Sequence, residues 1–171
     1  MKKLLQTIFP SCCKPSVIIT KQEVLEAQQK WAEGIVNISQ IYLDKGDYKA
    51  AAKKHIDDLY AYGKMEVLFK PTLASEVQFR KTFDEAFSYF VGGSIEEDNG
   101  FAIAPWKAAR FDGNQQVVIY DNYAVSMGNY FFTPAEGGDE KKVEFTFGYS
   151  KDEDGNLLIN LHHSSVPYTA A

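Results

Sequence analysis

The chain has 171 residues, 45% of them hydrophobic and 24% charged, with a net charge of −5; that is enough for one domain with its own core and too little for two. No dense face of Lys and Arg is available to a phosphate backbone, which counts nucleic acid out as a partner. The two cysteines, Cys12 and Cys13, are adjacent and cannot staple distant parts of a fold.

Met1-Lys2-Lys3-Leu4-Leu5 begins like a signal peptide, but Gln6, Thr7 and Pro10 interrupt the apolar run. Residues 1–18 therefore read as a tail and residues 19–171 as a single domain. No stretch is long enough for a membrane span. The expected location is the cytoplasm, with an exported or tethered form as the alternative.

Thr20-Lys21-Gln22-Glu23 is a capping box. The helix it opens carries Val24, Trp31, Ile35, Ile38 and Tyr42 on one apolar stripe and ends at Gly46. A second helix is expected from about Asp47 to Leu59, burying Tyr48, Ala51, Ala52, Ile56 and part of His55. Met65–Phe69 reads as a strand stopped by Pro71. A third helix is expected from near Ser75, with Phe79, Phe83, Phe87 and Phe90 on its inner side and Gly92-Gly93 as its stop. The period then changes to that of strands. Four follow: Phe101–Phe111, interrupted by Pro105; a long strand Val117–Phe132, with a bend or bulge at Gly128; one around Val143–Tyr149; and Leu157–Ser165. Helices on one side of a curved antiparallel sheet make a cone-shaped α+β fold enclosing a pocket. The uncovered sheet face points to a homodimer.

Strand alternation decides which residues share a face on the last strand. Leu157, Ile159, Leu161, His163 and Ser165 form one set, apolar until its polar end, as in a core strand running into a pocket. That makes His163 and Ser165 the site candidates and assigns His162 and Ser164 to the surface or a subunit contact. A histidine and a serine at a strand end are also commonly just hydrogen-bonded polar groups. Thr72, after Pro71, and Tyr89, beside the Phe stripe, are further candidates, with turn chemistry and ordinary packing as their plainer readings. The three histidines have no spacing that gathers them on a metal, so neither metal nor other cofactor is indicated. P-loop, dinucleotide and nucleophile-elbow signatures are missing.

Leu161-His162-His163-Ser164-Ser165-Val166-Pro167-Tyr168 resembles the C-terminal motif of the iota-class carbonic anhydrases. With Leu68-Phe69-Lys70-Pro71-Thr72 and Ser88-Tyr89-Phe90-Val91-Gly92-Gly93, the resemblance spans roughly Thr20 to Tyr168. It implies an NTF2-like, SnoaL-like fold related to the association domain of calcium/calmodulin-dependent protein kinase II. It further implies reversible hydration of carbon dioxide to bicarbonate by Thr72, Tyr89, His163 and Ser165, with Tyr120, Tyr123 and Tyr149 as alternatives for the tyrosine. The family includes descriptions with and without a metal, and the metal-free form is favoured. Phe83, Phe87, Phe90, Ile159 and Leu161 are the expected apolar wall for carbon dioxide, and His163 the expected proton acceptor. The competing class is a non-enzymatic assembly or ligand-binding module, as in the kinase association domain.

Overall fold

A computed structural model describes residues 18–170. The expected tail, with Cys12 and Cys13, lies outside the described residues except for Ile18. Next to it, Ile19 is buried and its N–H donates to the Asp121 carbonyl.

Helix α1 spans Lys21–Leu43, and the capping box is formed: Thr20 N–H donates to Glu23 Oε2 at 2.8 Å while Thr20 Oγ1 accepts from Glu23 N–H. Val24, Trp31, Ile35 and Ile38 are buried as the stripe requires. Tyr42 is instead left at the surface, packed edge-on against Tyr48. Asp47 caps α2, Tyr48–Leu59, which packs on α1 through Ala52, His55 and Ile56.

Helix α3 is shorter than its Phe stripe implies. It spans Phe83–Val91, opened by a second capping box between Thr82 and Glu85. Phe79 lies upstream and exposed, Phe83 and Phe87 are half-buried, and the buried face is Ala86, Ser88, Tyr89, Phe90 and Val91. The preceding stretch, residues 71–82, has no regular structure and is tied down by polar contacts. Arg80 is fully buried, with its guanidinium 2.7 Å from Asp98 Oδ1 and its backbone N–H on the Phe69 carbonyl. Glu97 accepts from the N–H groups of Ser75, Glu76 and Val77, which hold its carboxyl down at about 2. Removing one partner of a buried ion pair such as Arg80–Asp98 costs about 3–5 kcal/mol.

The sheet runs β1-β6-β5-β4-β2, with β3 beside β2 along the same edge of β4. Its strands are β1 Leu68–Lys70, β2 Trp106–Phe111, β3 Gln116–Tyr120, β4 Tyr123–Pro134, β5 Lys141–Lys151 and β6 Leu157–Ser165. Two expectations are corrected. The long strand Val117–Phe132 folds back at Asp121-Asn122, where Asp121 adopts φ 46°; a short polar side chain tolerates that conformation. The sheet is mixed, because β1 joins β6 in parallel.

The pairing of β5 with β6 is irregular at one point. Phe145 faces Ser164, Phe147 faces His162 and Gly148 faces Leu161, but Tyr149 faces Ile159. Asn160 is thus an extra residue, a β-bulge. Past it, alternation is inverted, and even-numbered residues take the core side.

Candidate active site

The inversion decides which side chains of β6 face the cavity. His162 and Ser164 are each 3% exposed and point inward, whereas His163 is exposed and Ser165 hydrogen-bonds Glu144 on the outer face. The assignment of His163 and Ser165 to the pocket, and of their neighbours to the surface, is therefore reversed. It rests on an unbroken period of two, and the strand contains a bulge.

The inner end of β6 opens into a cavity of about 430 Å³ under α1 and α3. Thr72, Tyr89, Tyr130, His162 and Ser164 line it with uncharged polar groups, beside the charged Glu140, Lys141 and Lys142. Thr72 is delivered by the tethered stretch after β1, and its hydroxyl donates to Ser164 Oγ at 2.9 Å. Tyr89 comes from α3, is 6% exposed and stacks on Phe101 at 5.7 Å. The Arg80 guanidinium lies 5.9 Å from its ring centroid. Tyr130, from β4, brings its hydroxyl to 3.4 Å from His162 Nε2. Burial raises the Tyr89 and Tyr130 hydroxyls far above the ordinary phenol value, so both keep their protons.

His162 is held on all sides. Its ring stacks on Phe69 of β1 at 4.7 Å and 14°, and meets Phe147 and Trp31 edge-on. On the side away from Tyr130, Nδ1 lies 2.8 Å from Tyr60 Oη, which also receives the Trp31 indole N–H at 2.9 Å. Tyr60 is placed by a bridge to Ile159, just before the bulge. Burial, then the neighbouring His163 and His55, push the His162 pKa well below its ordinary value. The imidazole is neutral at neutral pH.

The apolar wall also differs from expectation. Of the five residues assigned to it, Phe90 lines the cavity. Phe83 and Phe87 stack on each other outside it, Ile159 is sealed in the core, and Leu161 faces the far side of the sheet beside Leu68. The wall is built from Trp31, Phe90, Phe101, Trp106 and Phe132, drawn from α1, α3, the turn before β2, β2 itself and β4. No local pattern links these elements; the 14% aromatic content is the one general signal of such a wall. Lys141 and Lys142 flank the mouth, where Glu140 is paired with Arg110.

Behind a mouth carrying Glu140, Lys141 and Lys142, the arrangement sets hydrogen-bonding hydroxyls and one neutral imidazole against aromatic rings. It can bind a small planar anion by its oxygens and an apolar molecule by the rings. Among the described residues, no group of three or more His, Cys, Asp or Glu side chains is gathered as for a metal ion. No helix among them is long and apolar enough to cross a membrane.

Comparison with known proteins agrees with this chemistry. The model of a family described as metal-independent carbonic anhydrase matches residues 22–166. A metal-independent carbonic anhydrase from Nostoc sp. (strain PCC 7120 / SAG 25.82 / UTEX 2576) is 44% identical over 155 residues, covering 88% of this chain and 75% of that relative. The crystal structure of an iota-carbonic anhydrase from a cyanobacterium, complexed with bicarbonate, superposes with a TM-score of 0.85 at 39% identity, covering 98% of this chain and all of that one. An NTF2-like superfamily protein from Salmonella enterica serovar Typhimurium LT2 shares the fold alone, with a TM-score of 0.58 at 13% identity over 88% of this chain and 93% of its own.

Proposed function

The chain belongs to the metal-independent carbonic anhydrase family, and on that premise we propose that carbon dioxide and water combine to bicarbonate in the cavity between Thr72, Tyr130 and Ser164. The observation that carries this reading is one cluster of polar side chains, Thr72, Tyr89, Tyr130, His162 and Ser164, inside an aromatic cavity. Carbon dioxide is apolar and finds its place against Trp31, Phe101 and Trp106. Water adds through its oxygen to the carbon, and the carbonyl electrons move onto the carbon dioxide oxygens. The negative charge that develops there meets hydroxyl donors already in position, each worth about 10²–10³-fold in rate in a water-poor site.

One proton of the attacking water must leave. A hydroxyl can accept from water while donating onward: when the 2.9 Å bond in which Thr72 donates to Ser164 turns round, Ser164 takes the proton from the attacking water and Thr72 releases its own towards solvent at the mouth, and neither becomes charged. Lys141 and Lys142 there favour an anion over the neutral substrate.

The outer sheet face supports a homodimer. Leu68, Leu161, Val125 and Val118 stand in one cross-strand row interrupted by Gly148, and Leu68 and Val118 are exposed. Light scattering showing a monomer at working concentrations would reject that part.

The deciding experiment is stopped-flow carbon dioxide hydration on purified protein after exhaustive chelation, with metal content measured by mass spectrometry. Hydration that persists in metal-free protein supports the reading. Absence of hydration with and without added metals overturns it and leaves an assembly or ligand-binding module.

A further inference from the structure

An indole N–H donates and never accepts. Trp31 Nε1 is 2.9 Å from Tyr60 Oη, so the Tyr60 oxygen is an acceptor there. Tyr60 still carries a proton, since burial raises its hydroxyl well above the ordinary value. Among the described residues, the one other side-chain partner of that hydroxyl is His162 Nδ1, at 2.8 Å.

Two arrangements satisfy these distances. In the first, Tyr60 donates to a bare Nδ1, and His162 carries its proton on Nε2. In the second, Nδ1 carries the proton and donates to Tyr60, whose own O–H then has nowhere to go. Tyr60 is 1% exposed, so that orphaned hydroxyl would be buried. The general penalty for such a group corresponds to roughly a 5- to 150-fold preference for the first arrangement.

We propose that Trp31 and Tyr60 are positioning residues that hold His162 in the Nε2–H tautomer, so that its imidazole faces Tyr130 and the cavity as a hydrogen-bond donor and not as the base that takes a proton from water. The catalytic role rests on the carbonic anhydrase reading; the tautomer does not. The His162 N–H points towards Tyr130 Oη, 3.4 Å away, a long contact that has room to tighten on a ligand. With its oxygen accepting from His162, Tyr130 is free to turn its own proton towards the substrate. Polarity thus runs one way, from Trp31 through Tyr60 and His162 to Tyr130, and delivers donors to the pocket. A neutral imidazole used in this way polarises a carbonyl without protonating it.

The test is nitrogen NMR of the full chain labelled with ¹⁵N-histidine, with His162 identified by its loss in His162→Gln. The expected wild-type spectrum has a protonated-type Nε2 and a bare Nδ1 at neutral pH. In Tyr60→Phe, which keeps the ring and removes the hydroxyl, Nδ1 loses its donor. A second tautomer should appear and kcat for hydration should fall about tenfold or more. A proton on Nδ1 of wild-type His162 overturns the proposal, and this needs no variant to fold. An unchanged tautomer and unchanged kcat in folded Tyr60→Phe also overturn it. A wild-type chain that hydrates nothing would reject the enzymatic reading while leaving the tautomer readable.

Discussion

Ser164 and Ser165 are neighbours of identical chemistry on opposite faces of one strand, so exchanging each for alanine isolates position from composition. Ser164 is 3% exposed and bonded to Thr72. Ser164→Ala removes about one net hydrogen bond, close to 1 kcal/mol of stability, because half-buried Thr72 can turn its hydroxyl elsewhere. Its effect on rate is larger. Losing one donor aimed at the developing charge costs about 10²–10³-fold in kcat, or about 2.7–4 kcal/mol. Ser165 donates to Glu144 at the exposed outer face, and Ser165→Ala should change stability by no more than about 0.5 kcal/mol and kcat by less than twofold, on the order of measurement error. The assay is stopped-flow hydration with a pH indicator on chelated protein, with urea unfolding of each variant as the control. Equal rates in the two folded variants, or a larger loss in Ser165→Ala, would refute the reasoning from the bulge.

The buried histidines make stability depend on acid. His55 is lowered by burial from 6.5 to about 4, and His162 shifts the same way. The unfolded chain takes up these protons below about pH 6.5, whereas the folded chain takes up that of His55 only near 4 and that of His162 well below 6.5. Stability is therefore full above pH 6.5 and declines as pH falls towards 4, by roughly 3 kcal/mol for His55 alone. Glu97, held at about 2, gives up its contribution only below about 4.5, so denaturant titrations between pH 4.5 and 6.5 read the histidines; a flat profile there contradicts their burial as neutral groups. At the bulge, a Cβ on Gly148 would meet Leu161 Cβ at 2.9 Å and Tyr123 Oη at 2.5 Å. Gly148→Ala should cost about 1–3 kcal/mol, with the melting temperature falling by roughly 2–4 °C per kcal/mol; a melting temperature at or above wild type would show that the strands yield there freely.

Much of the architecture is local and can be read without the fold. The first capping box and the apolar stripe of α1 bury Val24, Trp31 and Ile35 as their spacing requires, and the Asp154-Gly155 turn leads into a last strand with the expected bounds. The start of α3 is legible too, in Thr82-Phe83-Asp84-Glu85, but the run of phenylalanines outweighs it. Phe79 fits a helical period and is nevertheless exposed, because Arg80 is drawn inward by Asp98 and Tyr62. Asp98 lies 18 residues further on, beyond any helical window.

The amino-acid order by itself determined that a polar His-Ser group ends the last strand and which family the motif resembles; Thr72 and Tyr89 were joined to that group by the resemblance alone, since turn chemistry and packing account for them locally. Only the tertiary structure decided which histidine and which serine enter the cavity. A bulge is a property of two strands in register, not of either pattern alone: Gly148 and Tyr149 of β5 leave Asn160 of β6 unmatched, and one unmatched residue inverts every face after it. The donor direction of His162 was equally hidden. It follows from Trp31 and Tyr60, 131 and 102 residues away along the chain, which packing alone brings together around one proton.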